Sequence, residues 1–462
     1  MEPEIIKEKT PSLFYRYLWA FILVALSGCL GNVVDGIIVG NLISEAGVSA
    51  INLSKPVNQF IFTLHLLINA GAGMLVGYAL GQKLIHRARR FFTLSLTMSV
   101  GIGILLALFG GLLFPDATAR LLCKNENLLS LTRDYMQVLL LGNPAFILMW
   151  GLSTMVGVDG SPRLVSVAVI IDNVVNLLLD IVFIQWLGWG ITGSSFATVV
   201  GHLVGIAILL SHWWNSANRR LTLTWRVSTP DSASDKTEEN TSNEPSKTGL
   251  LIRRIISQGA PLAIASISLT LLLLSANRIV LSTLGEAGIF AFAVCMNLLQ
   301  VYNLFLSGTC QTLQSLGAIQ VGKKDEVSLK AVIRKAFRFI TIAMVLLCLF
   351  VWIDPQAVVK LFGADEPDLI SEGTHALRIF ALSFIPFCYI YVLMIVYKLY
   401  SQHKMALFIS FALSLTVIPV LWVMSRIAPE LLWYAYLIAY LIEALAIYIL
   451  HRLTQASFKL NK

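Results

Sequence analysis

Two acids stand where acids are costly. Asp35 lies in GNVVDGIIVGN and Asp180 closes DNVVNLLLD, both within long apolar runs. A charged side chain inside a membrane helix is expensive, so it marks an ion, a proton or a substrate path. Asn173, Asn176 and Asp180 recur at i, i+3 and i+7, one helical face, and Asp172, Asn176 and Asp180 step by four across much of it. Thr198 lies about as far after the turn near Trp186–Gly190 as Asp180 lies before it, and Asp35 precedes its own loop by a similar interval. At ~1.5 Å per residue these groups share a depth of roughly 10 Å. Carboxylate, amide and hydroxyl oxygens at one depth suit a hard cation such as Na+. Two neighbouring carboxylates equally suit H+, because their repulsion favours one bound proton. Both ions stay open.

Other residues are accessory candidates. Asn32, Asp172 and Asn173 flank this set, and Lys55 lies close to the end of its span, where it can snorkel. In the second half, Arg278 follows Asn277 near the place that Asp35 holds in the first. Arg278, Arg378 and Glu443 are intramembrane charges that form an ion pair or line a cavity. His65, His202 and His375 read as local hydrogen-bonders rather than proton relays.

Helices across a bilayer must position these groups. The chain of 462 residues is 57% hydrophobic and 13% charged, against about 25% charged in soluble domains. Apolar runs long enough to span fall at 13–40, 51–80, 92–114, 129–156, 164–186, 191–214, 255–282, 287–316, 335–353, 370–399, 405–425 and 432–451. Alternating ten-residue segments of a barrel are absent from the sequence. The fold expected is therefore an all-α polytopic membrane protein of about twelve transmembrane helices. The first run is too long for a signal h-region. The six cysteines are scattered with no C-x-x-C pair, which supports neither disulfides nor a metal site.

Lys83, Arg87, Arg89 and Arg90 after the second run, and Lys323, Lys324, Lys330, Arg334, Lys335 and Arg338 after the eighth, mark the cytoplasmic face. Both termini are then cytoplasmic, in a plasma (inner) membrane. The net charge of +8 reflects this asymmetry and not a nucleic-acid partner. Residues 228–248 are too polar to bury a core. The division expected is 1–215 as an N-lobe with the cation site, 216–250 as a cytoplasmic linker and 251–462 as a C-lobe. The halves repeat: ISEAGVSA at 43–50 answers LGEAGIFA at 284–291. Parallel repeats are related by an axis along the membrane normal.

Two glycine patterns mislead. GAIQVGKK at 317–324 lacks the Ser or Thr and the preceding strand of a phosphate loop. Gly71, Gly73 and Gly77 sit within an apolar helix, where small residues serve close packing. With no HExxH or triad motif, an enzyme is not expected.

The chain resembles the multidrug and toxin extrusion (MATE) family along nearly its whole length. The resemblance is carried by VVDGIIVGN, VGVDGSPRL at 156–164, NVVNLLLDIVFI at 173–184 and WGITGSSFATVVGH at 189–202. It implies two six-helix lobes related by pseudo-two-fold symmetry, which rock between outward- and inward-facing states. It implies an N-lobe cation or proton site onto which Asp35, Asn176, Asp180 and Thr198 map. The function implied is antiport: small organic, cationic or amphipathic molecules leave in exchange for Na+ or H+. Asp172 and Lys55 depart from the family's pattern and bear on substrate charge. No cofactor is expected beyond the coupling ion, and a monomer is expected in membrane lipid. A lipid-linked oligosaccharide flippase of the same superfamily is the alternative, and it would need a strongly cationic cavity, for which Lys55, Arg278 and Arg378 are the candidates.

Overall fold

The computed structural model describes residues 10–42, 45–122, 126–215, 219–224, 248–362 and 366–460. Among them nine helices are long and apolar enough to cross a membrane. One of these, Thr248–Gly322, is broken at Gly285 (φ 64°, ψ −149°) and supplies two spans. Leu128–Leu141 and Asn143–Val158 form another, bent by 50°, and Tyr434–Leu450 is a shorter apolar helix. The twelve expected spans are thereby accounted for. Their outer faces carry exposed apolar side chains such as Leu26, Leu30, Leu271, Leu274, Leu441 and Leu445, as a lipid-facing surface requires.

We number the helices α1 (Thr10–Leu42), α2 (Glu45–His65), α3 (Gly71–Gly81), α4 (Ile85–Leu106), α5 (Pro115–Leu122), α6 (Glu126–Leu141), α7 (Asn143–Val158), α8 (Pro162–Asp180) and α9 (Gly190–Asn215), then α10 (Thr248–Gly322), α11 (Glu326–Ile353), α12 (Pro355–Leu361), α13 (Pro367–Leu399), α14 (His403–Leu415), α15 (Val417–Ile427) and α16 (Tyr434–Leu460). Proline stands in the first turn of α7, α8, α12 and α13, where the missing N–H costs nothing. Three wide π-turns, Leu66–Ala70, Ala107–Leu113 and Ile181–Trp186, interrupt or extend spans.

The chain divides into two compact units: Met1–Ala260 with Gln314–Leu329, and Pro261–Leu313 with Lys330–Lys462. The backbone repeats at a separation of 241 residues. Left-handed conformations occur at Lys83 and Lys324, and again at Gly160 and Ser401; the spans opening at Pro162 and His403 share that separation.

Both misleading glycine patterns are packing surfaces within the first unit. A Cβ on Gly81 would lie 2.2 Å from the Ile319 carbonyl oxygen and 2.8 Å from the Cα of Gly322. The glycine at 322 belongs to the GAIQVGKK stretch, so that stretch lets two backbones touch rather than cradling phosphate.

Candidate functional site

The site residues stand on α8, which packs against α1 on one side and α9 on the other. Asn173 faces α1: its Nδ2 donates to Ser27 Oγ at 2.9 Å. Gly31 leaves the room, since a Cβ there would sit 2.7 Å from Asn173 Oδ1. Asn176 faces α9, where its Nδ2 donates to Thr198 Oγ1 at 3.2 Å. Asp180 is completely buried. Asn32 and Asp35 fall on α1, but their side chains lie outside the described residues. The expected face of Asn173, Asn176 and Asp180 is thus shared between two neighbours, because the i and i+3 positions diverge toward α1 and α9.

Asp172 is buried and bound to His202. The ring Nδ1 lies 3.1 and 2.9 Å from the two carboxylate oxygens. Gly201 permits this, because a Cβ there would come within 2.6 Å of Asp172 Oδ1. Asp172 and His202 lie one turn beyond Asn176 and Thr198 on the antiparallel pair, further from the connecting turn. The Nε2 of His202 has no hydrogen-bond partner among the described residues. It lines a narrow crevice with Asn58, Asn143, Phe146 and Thr198. Asn143, at the bend between α6 and α7, is buried with both amide atoms unpartnered. Sequence reasoning missed Asn58 and Asn143; the Gly142-Asn143-Pro144 break was their one signal.

A second buried acid was also missed. Asp159, at the end of α7, meets His212 Nε2 at 3.0 Å and accepts from Arg220 Nε at 3.1 Å. The backbone N–H groups of Arg220 and Leu221 also donate to it, and Arg89 Nε donates to the Arg220 carbonyl. Asp159 therefore holds the chain after α9 against the ends of α4 and α7. Gly160 at φ 107° turns the chain and Pro162 starts α8, so VGVDGSPRL is an anchor as well as a family mark.

Two expectations are corrected. Arg278 and Arg378 are exposed, and Glu443 is buried with neither oxygen hydrogen-bonded among the described residues. Of the two readings for these charges, the ion pair to Glu443 is not formed among the described residues, since both arginines are exposed while Glu443 is buried. Lys55 is likewise exposed, as a snorkelling lysine should be. His202 bonds across to another helix rather than locally, whereas His65 does bond locally, to Asn69 at 3.1 Å.

Comparison with known proteins bears on this arrangement. The MatE family model matches residues 21–182 and 261–423, most of both halves. This chain belongs to the MatE family of membrane transporters. The two matched stretches begin 240 residues apart, at 21 and 261, close to the repeat of the backbone. Multidrug export protein MepA of Staphylococcus haemolyticus is 21% identical over 421 residues, covering 90% of this chain and 88% of the relative. Probable multidrug resistance protein YoeA of Bacillus subtilis is 25% identical over 217 residues, 45% of this chain and 47% of its own. Among solved structures, a MOP superfamily transporter from Pyrococcus furiosus superposes with a TM-score of 0.85 at 17% identity, covering 99% of this chain and 98% of that one. An outward-facing multidrug resistance MATE family transporter matches with the same score and coverage at 16% identity. At these identities the structural likeness speaks for the MatE fold alone.

Proposed function

We propose that this MatE transporter is a secondary antiporter that exports small organic molecules in exchange for Na+ or H+ by alternating access. The carrying observation is the α8–α9 pair: buried Asp180, the Asn176–Thr198 contact and the buried Asp172 all stand within apolar spans. Asp180, Asn176 and Thr198, with Asp35 of α1, offer the all-oxygen set that a hard cation or a proton uses. The coupling ion binds this set from outside and changes the balance between two conformations, because each holds it with different affinity. Linkage then makes substrate and ion affect each other reciprocally. In this reading 1–215 and 251–462 are the transport lobes, 216–250 joins them, and both termini are cytoplasmic. The names of MepA and YoeA support drug-like substrates. The alternative, a lipid-linked oligosaccharide or other lipid flippase, gains no specific support, since Lys55, Arg278 and Arg378 line neither of the two crevices.

The test is efflux of a cationic dye from proteoliposomes under a sodium gradient alone, then a pH gradient alone. One gradient should drive export, and Asp180→Asn should abolish that drive while the protein still inserts. Dye that moves under neither gradient, or moves normally in the variant, would defeat the proposal.

A further inference from the structure

The segment after α9 is held more firmly than its polar sequence requires. Residues 219–224 form no helix, yet side chains of other elements take up their backbone groups. The N–H groups of Arg220 and Leu221 donate to Asp159 Oδ2 at 3.2 and 3.4 Å, and that of Thr224 donates to Thr93 Oγ1 at 2.9 Å. The Arg220 carbonyl accepts from Arg89 Nε at 2.9 Å, and the Leu221 carbonyl accepts from Trp213 Nε1 at 2.6 Å. The Arg220 guanidinium donates to Asp159 twice, at Oδ1 and at the backbone carbonyl. Charge-assisted bonds of this kind are the strong ones. Both carboxylate oxygens of Asp159 are engaged by the chain itself, so the cluster fastens a segment and does not receive a ligand.

Leu221 completes the fastening. It is fully buried in a cluster with Phe91 and Phe92 of α4, Met155 and Val158 of α7, and Leu251 and Ile255 of α10. Leu223, two residues on, is exposed. Leu251 and Ile255 follow the polar stretch in sequence, whereas Leu221 precedes it. Residues 225–247 therefore leave one apolar cluster of the first unit and return to the same one.

The chain passes between the two units at 260–261, at 313–314 and at 329–330. The first two crossings lie within α10 and the third within α11. None lies in 216–250. That stretch joins the lobes in sequence, but both of its ends are fixed to one body. A loop closed on one body transmits no force to another, and its length alters the closure entropy only slowly. We propose that residues 219–224 are a strap that fastens 225–247 as a loop on the first unit, leaving α10 at Ala260–Pro261 to carry movement between the units. The proline supports this, because it removes a hydrogen bond inside the helix and makes that point the easier one to bend. The proposal goes beyond the export reading and depends on it only where flux is measured.

Cutting the loop decides. A protease recognition sequence inserted between Ser234 and Asp235 lets the purified full-length protein be cleaved in place. Hydrogen exchange over the peptide spanning 219–224, read by mass spectrometry, should stay at least about tenfold slower than in free chain after cleavage. Local bonds, not chain continuity, hold the strap. Arg220→Ala should speed that exchange at least about tenfold in the uncut protein. Gradient-driven efflux should remain within about twofold after cleavage, and also when about twenty Gly and Ser residues are inserted instead. Exchange that rises to the free-chain rate on cleavage overturns the proposal without needing Arg220→Ala to fold. So does efflux that is lost on cleavage or lengthening. A protein that exports under no gradient before cleavage defeats the export reading, and the exchange measurement still decides the strap.

Discussion

The crevices of the two units share a frame and differ in what lines it. In the first, polar side chains come from α2, the α6–α7 bend and α9, and the acid Asp172 is matched with His202. In the second, leucine, phenylalanine, tyrosine and one serine stand 241 residues further on, and Glu443, which is not among the lining residues, is buried with no hydrogen-bond partner among the described residues. The repeat fixes where side chains project, and their types set the different chemistry of the two crevices.

The largest effect should separate these roles. Asp180→Asn should reduce gradient-stimulated efflux by at least about tenfold. Glu443→Gln should keep the stimulation. Proteoliposome flux decides, and the reverse pattern would exchange the roles of the two units. Next is Asp159→Ala, which strands Arg220 and His212 and should cost about 3 kcal/mol or more, read as a lower midpoint of thermal unfolding in detergent. His202→Leu should likewise destabilise by about 3 kcal/mol, because it leaves Asp172 buried alone. Adding Asp172→Leu, which copies the Leu413 of the second unit, should recover most of that loss. If the double variant is no better than the single one, the pair is not a unit. Gly322→Leu forces apart the contact with Gly81 and should cost about 1–3 kcal/mol, again in thermal unfolding.

The smallest effect lies outside the spans. Asp325 caps α11, its Oδ1 accepting from the Ser328 N–H at 2.9 Å, and this holds its carboxyl below the ordinary range. A carboxyl lowered by folding stabilises above its unfolded value and loses that contribution as pH falls through the folded value. Asp325→Asn keeps a capping side chain, so stability near neutral pH should change by less than about 1 kcal/mol. Its dependence on acid below about pH 4 should flatten. An unchanged acid limb in a pH series of unfolding midpoints would contradict this.

The spans were legible because a bilayer demands long apolar runs, and the repeat because 43–50 and 284–291 share letters. The Asn176–Thr198 contact was legible because residues equally far from a hairpin turn meet at one depth. The same rule pairs 172 with 202, so register points to the Asp172–His202 bond, which the type of each residue taken alone does not reveal. The Asp159 anchor was hidden: its partners His212 and Arg220 lie more than fifty residues away, beyond any helical period. The second crevice was hidden too, since aromatic residues in a membrane helix look alike whether they face lipid or a neighbour.

Asp180 is followed directly by the wide turn Ile181–Trp186. Such a turn holds one residue more than an α-helix needs. Removing a single residue from 181–186 should therefore be absorbed by relaxation to ordinary helical pitch, whereas the same deletion within α8 would turn every following side chain by about 100°. The segment is a place where the length of this chain can change by one while the acid before it keeps its setting.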